Sequence, residues 1–190
     1  MRFNLVVIGY GGQGVLSLAE IIGRAAVEEG HDVKSTEVHG LSQRGGALQC
    51  HVRFGDKIFS PLVRKAGANL IIALDVLEAW RACYYANKNT TILTDKKLLH
   101  PRPILEKYLD AGSILKEIKK FAKVEVVNAS KIVESLTGED AMSNIFMLGY
   151  AINKRLLPLK KENAWKAVAK KIRPEFLELN KKVFEEAFKM

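Results

Sequence analysis

The chain has 190 residues, of which 48% are hydrophobic and 27% are charged. This length and balance are typical of a globular protein with one domain of ordinary size and a substantial apolar core. The sequence also excludes a transmembrane helix, because no apolar run approaches the roughly 18 residues that one needs. The apolar start MRFNLVVIG runs straight into glycines and is too short for a secretory signal. We therefore predict a cytoplasmic protein.

The cysteines and the net charge limit which metal sites and binding partners the sequence supports. Cys50 and Cys83 lack the close spacing of zinc or iron–sulfur ligands, so we predict buried free thiols and no metal site. The net charge is +9, and residues 154–190 carry 11 Lys or Arg against 5 Asp or Glu. Apolar residues recur at helical spacing between these lysines, which predicts two amphipathic helices with a solvated basic face. An acidic protein partner and nucleic acid are the alternative explanations of that charge.

Buried strands and helices alternate along the first half of the chain. Residues 3–8 form a continuous apolar run that ends in glycines, which is typical of a buried parallel strand. A helix over 15–29 ends at Gly30, and a second strand covers 32–38. An alternating strand follows over 47–54, and we expect Gly55-Asp56 to turn it into a hairpin with 57–60.

The second half continues the alternation. We predict strands at 69–74, 90–94 and 123–127, and helices at 76–85, 129–136 and 141–155. Two tail helices follow, the second starting at Pro174. The segment HPRP at 100–103 breaks the regular pattern without acting as a linker.

This order predicts a three-layer α/β/α fold with a Rossmann-like, mostly parallel sheet. The hairpin would make the sheet mixed. We assign residues 1–153 to one α/β domain and 154–190 to a C-terminal helical extension packed on it. Ligands of such sheets bind beyond the carboxyl ends of the strands. The loops 9–14 and 39–46 both follow predicted strands at that edge, so we expect them to lie close together.

The first loop, GYGGQG, has glycines at Gly9, Gly11, Gly12 and Gly14, with Gln13 between the last two. It follows a strand and opens a helix, as the dinucleotide-binding fingerprint requires. A helix N-terminus offers free N–H groups to an anion, so the loop is a candidate cofactor site. The acidic residue that would hold a ribose has one loose candidate, Glu37. A strand–helix turn without a ligand remains the alternative.

The second loop reads EVHGLSQRGG over residues 37–46. Its glycines give backbone freedom and its polar side chains can make contacts. Arg44 can pair with a phosphate or carboxylate, and an imidazole can titrate near neutrality. A self-satisfied turn in which Arg44 pairs with Glu37 is the competing interpretation. The candidate site residues in this loop are Glu37, His39, Ser42, Gln43, Arg44, Gly45 and Gly46.

Taken together, these stretches resemble the gamma-type domain of 2-oxoacid:ferredoxin oxidoreductases. The resemblance rests on GYGGQG, EVHGLSQRGG, HVRFGDKIFSPLV and NLIIALDVLEAWR, and resumes at SNIFMLG over 143–149. The HG-x-x-QRGG form is most similar to the indolepyruvate branch, in which this domain is the separate beta subunit. The tail from Lys154 carries no motif of the family.

The resemblance implies a subunit of an enzyme that converts an aryl pyruvate, coenzyme A and oxidised ferredoxin to an aryl-acetyl-CoA, carbon dioxide and reduced ferredoxin. It implies thiamine diphosphate and iron–sulfur clusters on a larger partner subunit, because Gly55-Asp56 lacks the next glycine of a thiamine motif and the cysteines lack cluster spacing. This chain alone would then be inactive. A stand-alone nucleotide-binding oxidoreductase and a non-catalytic basic scaffold protein are the alternative functions.

Overall fold

A computed structural model describes residues 2–39, 46–99 and 110–190, with the backbone alone for His39. The strands are β1 Arg2–Tyr10, β2 Asp32–His39, β3 Ala47–Gly55, β4 Leu70–Ala73, β5 Thr91–Asp95 and β6 Lys123–Val127. The helices are α1 Val15–Glu28, α2 Val76–Arg81, α3 Ala111–Ile118, α4 Ala129–Thr137, α5 Ser143–Asn153, α6 Lys161–Lys171 and α7 Leu177–Glu186. Short 3₁₀ turns follow α2 at Ala82–Tyr85 and precede α7 at Pro174–Phe176. The predicted three-layer α/β fold is confirmed.

The six strands form one sheet in the order β2-β3-β1-β4-β5-β6. β1, β4, β5 and β6 run parallel, whereas β3 is antiparallel to both of its neighbours, β1 and β2. The sheet is therefore mixed, as predicted. Since β2 and β1 both oppose β3, their carboxyl ends lie at the same edge of the sheet.

The predicted hairpin between 47–54 and 57–60 is wrong. β3 pairs with β2 instead, with His39 opposite Leu48 and Asp32 opposite Gly55. The chain after Gly55 does not form a strand, because side chains from the sheet bind its backbone: the Ile58 N–H donates to Asp32 Oδ2 at 2.7 Å, and Arg53 Nη1 donates to the Ser60 carbonyl at 2.7 Å. The turn residues at 55–56 mark the end of β3, as their composition indicates.

Side chains alternate between two cores along the buried strands. Leu5 and Val7 of β1 enter a large core on one side, which we call the first face, with α1, α4, α5, α6 and α7. Val6 and Ile8 enter a smaller core on the opposite side, the second face, with α2 and α3. Strands that are buried on both faces read as unbroken apolar runs, which is why β1 and β4 were recognisable from the sequence.

The basic tail returns to the first face. α6 packs on α1, and α7 packs on α5. Lys170 pairs with Glu28 at 2.5 Å and Lys171 with Glu20 at 2.5 Å, so part of the positive charge of the tail is neutralised by the solvent side of α1. Exposed pairs of this kind contribute little to stability.

One helix was not predicted. α3 begins after Asp110, whose Oδ1 accepts a hydrogen bond from the Ser113 N–H at 3.0 Å. The carboxylate satisfies a free donor of the first turn, as in other N-caps. The segment 100–103, predicted as a break, lies outside the described residues. In the described part of the chain, no helix is long and apolar enough to cross a membrane.

Candidate functional site

The glycine turn between β1 and α1 is braced by its own glutamine. Gln13 Oε1 accepts a hydrogen bond from the Tyr10 N–H at 2.7 Å, and Gln13 Nε2 donates to the Leu74 carbonyl at 3.0 Å. A Cβ at Gly9 would lie 2.7 Å from Gln13 Oε1, so this glycine makes room for the bracing side chain. The Gln13 amide therefore ties the turn to the end of β4, which gives it a structural role beside any contact with a ligand.

Gly14 is the most constrained glycine of the turn. Its φ of 79° lies in the left-handed region, and a Cβ there would lie 2.3 Å from Asn144 Nδ2. Asn144 Nδ2 donates to the Gly14 carbonyl at 3.2 Å, which joins the start of α1 to the start of α5. Gly11, in contrast, has open space around its Cβ position and does not have a positive φ. The fingerprint spacing alone does not reveal this difference.

The glycine turn and the end of the second loop meet at the carboxyl edge of β1. The Gly11 N–H donates to the Gly46 carbonyl at 3.3 Å, and Tyr10 lies opposite Ala47 in the sheet. The expectation that the two loops lie close together is confirmed for these described residues. Ser42, Gln43, Arg44 and Gly45 lie outside the described residues, and their assignment to the site stays a prediction.

Glu37 lies near the end of β2, directly opposite Cys50. It lines a groove of about 630 Å³ between β2 and α1, together with Ser17 and Lys171. Burial raises the pKa of the Cys50 thiol to about 12, and the negative charge of Glu37 contributes in the same direction. Glu37 therefore lies on the first face, beside the start of α1, and its assignment to a cofactor site stays a prediction.

A cleft of about 450 Å³ opens beside the N-terminus of α1. Gly12 and Gly14 line one wall, and Lys171, Arg173 and Phe176 of the tail line another. The positive end of the helix and two cationic side chains favour an anion there. The sequence predicted a solvated basic face for the tail, so Lys171, Arg173 and Phe176 were not among the predicted site residues. The residues of the glycine turn do not indicate where the tail packs.

Buried carboxyl groups follow the strands at the same edge. Asp75 caps α2 by accepting hydrogen bonds from Leu77 N–H at 2.8 Å and Glu78 N–H at 3.2 Å. Asp95 at the end of β5 accepts from the Ser130 N–H at 3.0 Å. Burial raises the pKa of both carboxyl groups. Asp75 and Asp95 hold the loops at this edge in place. The sequence signal for Asp75 was its position directly after the apolar run NLIIAL.

Tyr10 of the glycine turn lies beside the buried Glu78 of α2, which pairs with the exposed Arg81. Glu78 is fully buried and its Oε1 accepts from Arg81 Nη1 at 2.5 Å. Burial raises the pKa of Tyr10, and the charge of Glu78 raises it further. The Tyr10 hydroxyl and Glu78 Oε2 do not make a regular hydrogen bond to a described residue. The second residue of the turn is therefore coupled electrostatically to α2.

The cysteines and the Gly-Asp pair do not fit the cofactors of the resembled family. Cys50 faces the first core and Cys83 borders the second, so the sheet separates them. Burial raises the thiol pKa to about 12 for Cys50 and about 11 for Cys83, which opposes thiolate ligation. Gly55 is paired with Arg2, at the opposite end of β1 from the glycine turn. Within the described ranges, three potential metal ligands do not converge anywhere.

The mixed sheet with a glycine turn at its carboxyl edge places the chain among Rossmann-like α/β proteins. Within that class, the chain belongs to the pyruvate ferredoxin/flavodoxin oxidoreductase family, which matches residues 4–190. It is 35% identical over 189 residues to the indolepyruvate oxidoreductase subunit IorB of Archaeoglobus fulgidus, covering 97% of this chain and 93% of the relative. The prediction of a small subunit of a 2-oxoacid ferredoxin oxidoreductase is confirmed and is favoured over the alternative functions.

Two solved structures share the fold. The gamma subunit of a keto/oxoacid ferredoxin oxidoreductase from Geobacter sulfurreducens has a TM-score of 0.74 and 23% identity, covering 100% of this chain and 95% of that one. The 2-oxoglutarate:ferredoxin oxidoreductase from Magnetococcus marinus has a TM-score of 0.76 and 17% identity, with 98% of this chain matching 30% of that chain. The same fold thus occurs as a separate chain and as part of a longer one.

Proposed function

We propose that this chain is the small subunit of an indolepyruvate-type oxidoreductase. The assembled enzyme would oxidise an aryl pyruvate with coenzyme A, releasing carbon dioxide and forming an aryl-acetyl-CoA and reduced ferredoxin. The observation that carries this proposal is the similarity to the indolepyruvate oxidoreductase subunit of Archaeoglobus fulgidus, which extends over 97% of this chain. The HG-x-x-QRGG loop, on which the resemblance to that branch rests, supports the same substrate class.

In this proposal, thiamine diphosphate and the iron–sulfur clusters are bound by a larger partner subunit. The two cysteines support this distribution, because they lie on opposite faces of the sheet with raised pKa values. Thiamine diphosphate would stabilise the carbanion left by decarboxylation, and the clusters would pass electrons to ferredoxin. The role left to this chain is to complete and shape the site of the partner.

The carboxyl edge of β1 and β2 is the part of this chain that we propose faces the cofactors or the coenzyme A path. Gly11 and Gly46 meet there, and the polar loop between β2 and β3 starts and ends there. Glycines without side chains allow the backbone of another chain or a cofactor to approach closely. Arg44 would supply a planar cation for a phosphate or carboxylate.

The substrate class is tested by reconstituting the complex with the large subunit encoded in the same genome. Ferredoxin reduction is measured with indolepyruvate, pyruvate and a branched-chain 2-oxoacid, each with and without coenzyme A. We expect the highest kcat/KM with indolepyruvate and no turnover by the small chain alone. A preference for pyruvate or the branched-chain acid would contradict the assigned branch, and ferredoxin reduction by the small chain alone would contradict the proposed division of cofactors.

The role of Arg44 is tested separately. Arg44→Ala should leave the melting temperature of the isolated chain nearly unchanged, because a loop arginine contributes within about 0.5 kcal/mol. Loss of a charge-assisted contact costs on the order of 1.5–3 kcal/mol, so kcat/KM or coenzyme A affinity should fall about tenfold to a hundredfold. Arg44→Lys should restore little. Arg24→Ala, on the exposed side of α1, is the matched control.

A further inference from the structure

The described residues cover the second face of the sheet incompletely. α2 packs on β1, β4 and β5, and α3 packs on α2. Over β3 lies the segment 56–69, and no described helix covers β2 on this side. Val38 of β2 lies opposite Gln49, whose side chain donates to Tyr85 on the second face, so Val38 points to the same side and is 38% exposed. β2 and β3 pair antiparallel, and such strands can face water on one side, so the open side of β2 does not by itself point to a partner.

Large apolar side chains project from this cover into solvent. Phe59 is 73% exposed, Tyr84 57%, Leu62 55% and Trp80 43%. Trp80 lies on α2, and Tyr84 lies four positions later on its 3₁₀ extension. We call Phe59, Leu62, Trp80 and Tyr84 the aromatic ridge. Contact with water does not favour so many exposed rings in one region, whereas protein interfaces are enriched in Trp and Tyr.

Hydrogen bonds and ring contacts with neighbouring residues hold the aromatic ridge in place. The Val63 N–H donates to the buried His51 Nδ1 at 3.0 Å, and the His51 ring packs edge-on against Tyr85 with centroids 4.9 Å apart. Tyr85 in turn packs edge-on against Tyr84 at 5.0 Å. The Ala66 N–H donates to the Tyr84 carbonyl at 3.1 Å, which joins the segment to the end of α2. A partner would therefore meet a preorganised surface and lose little conformational entropy in ordering it.

The surroundings of the ridge are basic. Residues 57–68 include three basic residues and no acidic one. Lys65 Nζ lies 5.6 Å from the centre of the Tyr84 ring, and Lys57 Nζ lies 5.1 Å from that of Phe59. We propose that the aromatic ridge and its lysines dock the small subunit onto an acidic surface of the large subunit, apart from the carboxyl-edge site. This inference rests on the proposed function, since it requires a large partner subunit.

The charge pattern selects this occupant over a second copy of the chain. A two-fold dimer through the ridge would place Lys57, Arg64 and Lys65 of one copy against the same basic residues of the other. Like charges brought together at an interface oppose association, whereas an acidic partner surface would speed the encounter and fix its orientation.

The test measures the Kd between the isolated small chain and the large subunit. Tyr84→Ser and Phe59→Ser remove ridge side chains, and Lys65→Glu reverses one charge. The matched controls are Val27→Ser, which removes a side chain that is 59% exposed on α1, and Lys181→Glu at an exposed position of α7. We expect about tenfold weaker binding or more for the ridge variants, as for hot-spot residues, with controls within about twofold. Melting temperatures of all variants should match that of the wild type.

Reconstituted activity separates docking from catalysis. At a small-subunit concentration that saturates the large subunit, ridge variants should regain the kcat of the wild-type complex, and added salt should weaken wild-type binding more than Lys65→Glu binding. Unchanged binding of the ridge variants, or weakening by Val27→Ser and Lys181→Glu instead, would overturn the docking proposal while leaving the function intact. Ridge-dependent dimerisation or ridge-dependent RNA binding, without an effect on the large subunit, would also overturn it. A wild-type chain that neither binds the large subunit nor supports turnover would overturn both proposals.

Discussion

The two faces of the sheet differ in the size of their apolar cores and in the side chains that they expose. The first face buries a continuous apolar core under five helices, and its largest side chains include Phe146 and Phe184. The second face has a smaller core under two helices and buries polar groups beside it, among them His51, Asp75 and Glu78. The first face holds the larger core, whereas four large side chains on the second face, Phe59, Leu62, Trp80 and Tyr84, are exposed. The contrast supports our proposal that the second face docks onto the partner subunit.

The largest expected effect comes from the first face. Phe184→Ala removes a ring that is 1% exposed and packs against Trp165 and Phe188. We expect a loss of about 3–5 kcal/mol, and unfolding of the whole domain rather than of the tail alone. Urea unfolding followed by both tryptophan fluorescence and circular dichroism tests this, with the exposed Phe176→Ala as the control. Two separate transitions would show that the tail is an independent unit.

Close packing between α5 and α7 is tested at a glycine. A Cβ at Gly149 would lie 2.8 Å from the Phe184 carbonyl oxygen and 2.8 Å from Ala187 Cβ, so Gly149→Ala should separate the helices and cost about 1–3 kcal/mol. Gly23 in α1 is the matched helical glycine, since its added Cβ would meet Val33 at an ordinary 3.7 Å. Gly23→Ala should stabilise the protein by about 0.5–1 kcal/mol. Equal melting temperatures for the two variants would contradict this packing.

The glycine turn connects the two faces and gives an intermediate effect. Gly14→Ala would place a side chain at a φ of 79°, for which the backbone penalty is roughly 1–2 kcal/mol, and would displace Asn144. Gly11→Ala adds a Cβ in open space, so it should change stability by less than about 0.5 kcal/mol. Thermal unfolding of the pair checks the difference. Comparable losses for the two variants would mean that the turn as a whole, rather than Gly14, sets the geometry.

The smallest effect concerns one thiol on each face. The pKa is raised to about 12 for Cys50 and about 11 for Cys83, so both thiols stay protonated as the pH rises from 7 to 9. Labelling by a maleimide should be slow in the native protein, with Cys83 reacting first because Cys50 is 2% exposed and Cys83 is only partly buried. Cys50→Ser and Cys83→Ser assign the two rates. Faster labelling of Cys50 would mean that the groove beside Glu37 opens to solvent.

Sequence patterns predicted the elements better than their partners. The apolar runs of β1 and β4 and the helical spacing of α1 report burial directly, and these elements were found almost in full. The alternation in β3 indicates a strand but contains no information about which strands lie beside it, and both of its neighbours, β1 and β2, precede it in the chain. α3 was missed, although Asp110 and Ser113 form a capping pattern.

Only the glycine turn and its proximity to the second loop were predictable from the sequence. The glycine turn and its proximity to Gly46 followed from strand direction and loop chemistry. The contact between Gly14 and Asn144 joins residues 130 positions apart, and the cleft beside it is completed by Arg173 of the tail. Such long-range partners are set by packing of the whole domain, which local spacing does not encode.

The return of α6 and α7 to the first face has a consequence for synthesis of the protein. The Lys160 N–H donates to Glu29 Oε1 at 2.6 Å, and Phe184 fills a core that also contains Val15, so elements translated late complete the burial of elements translated early. Until α7 has left the ribosome, the apolar sides of α1 and α5 lack their cover. Nascent chains that stall before that point would expose this surface, which makes them natural clients of chaperones and prone to aggregation.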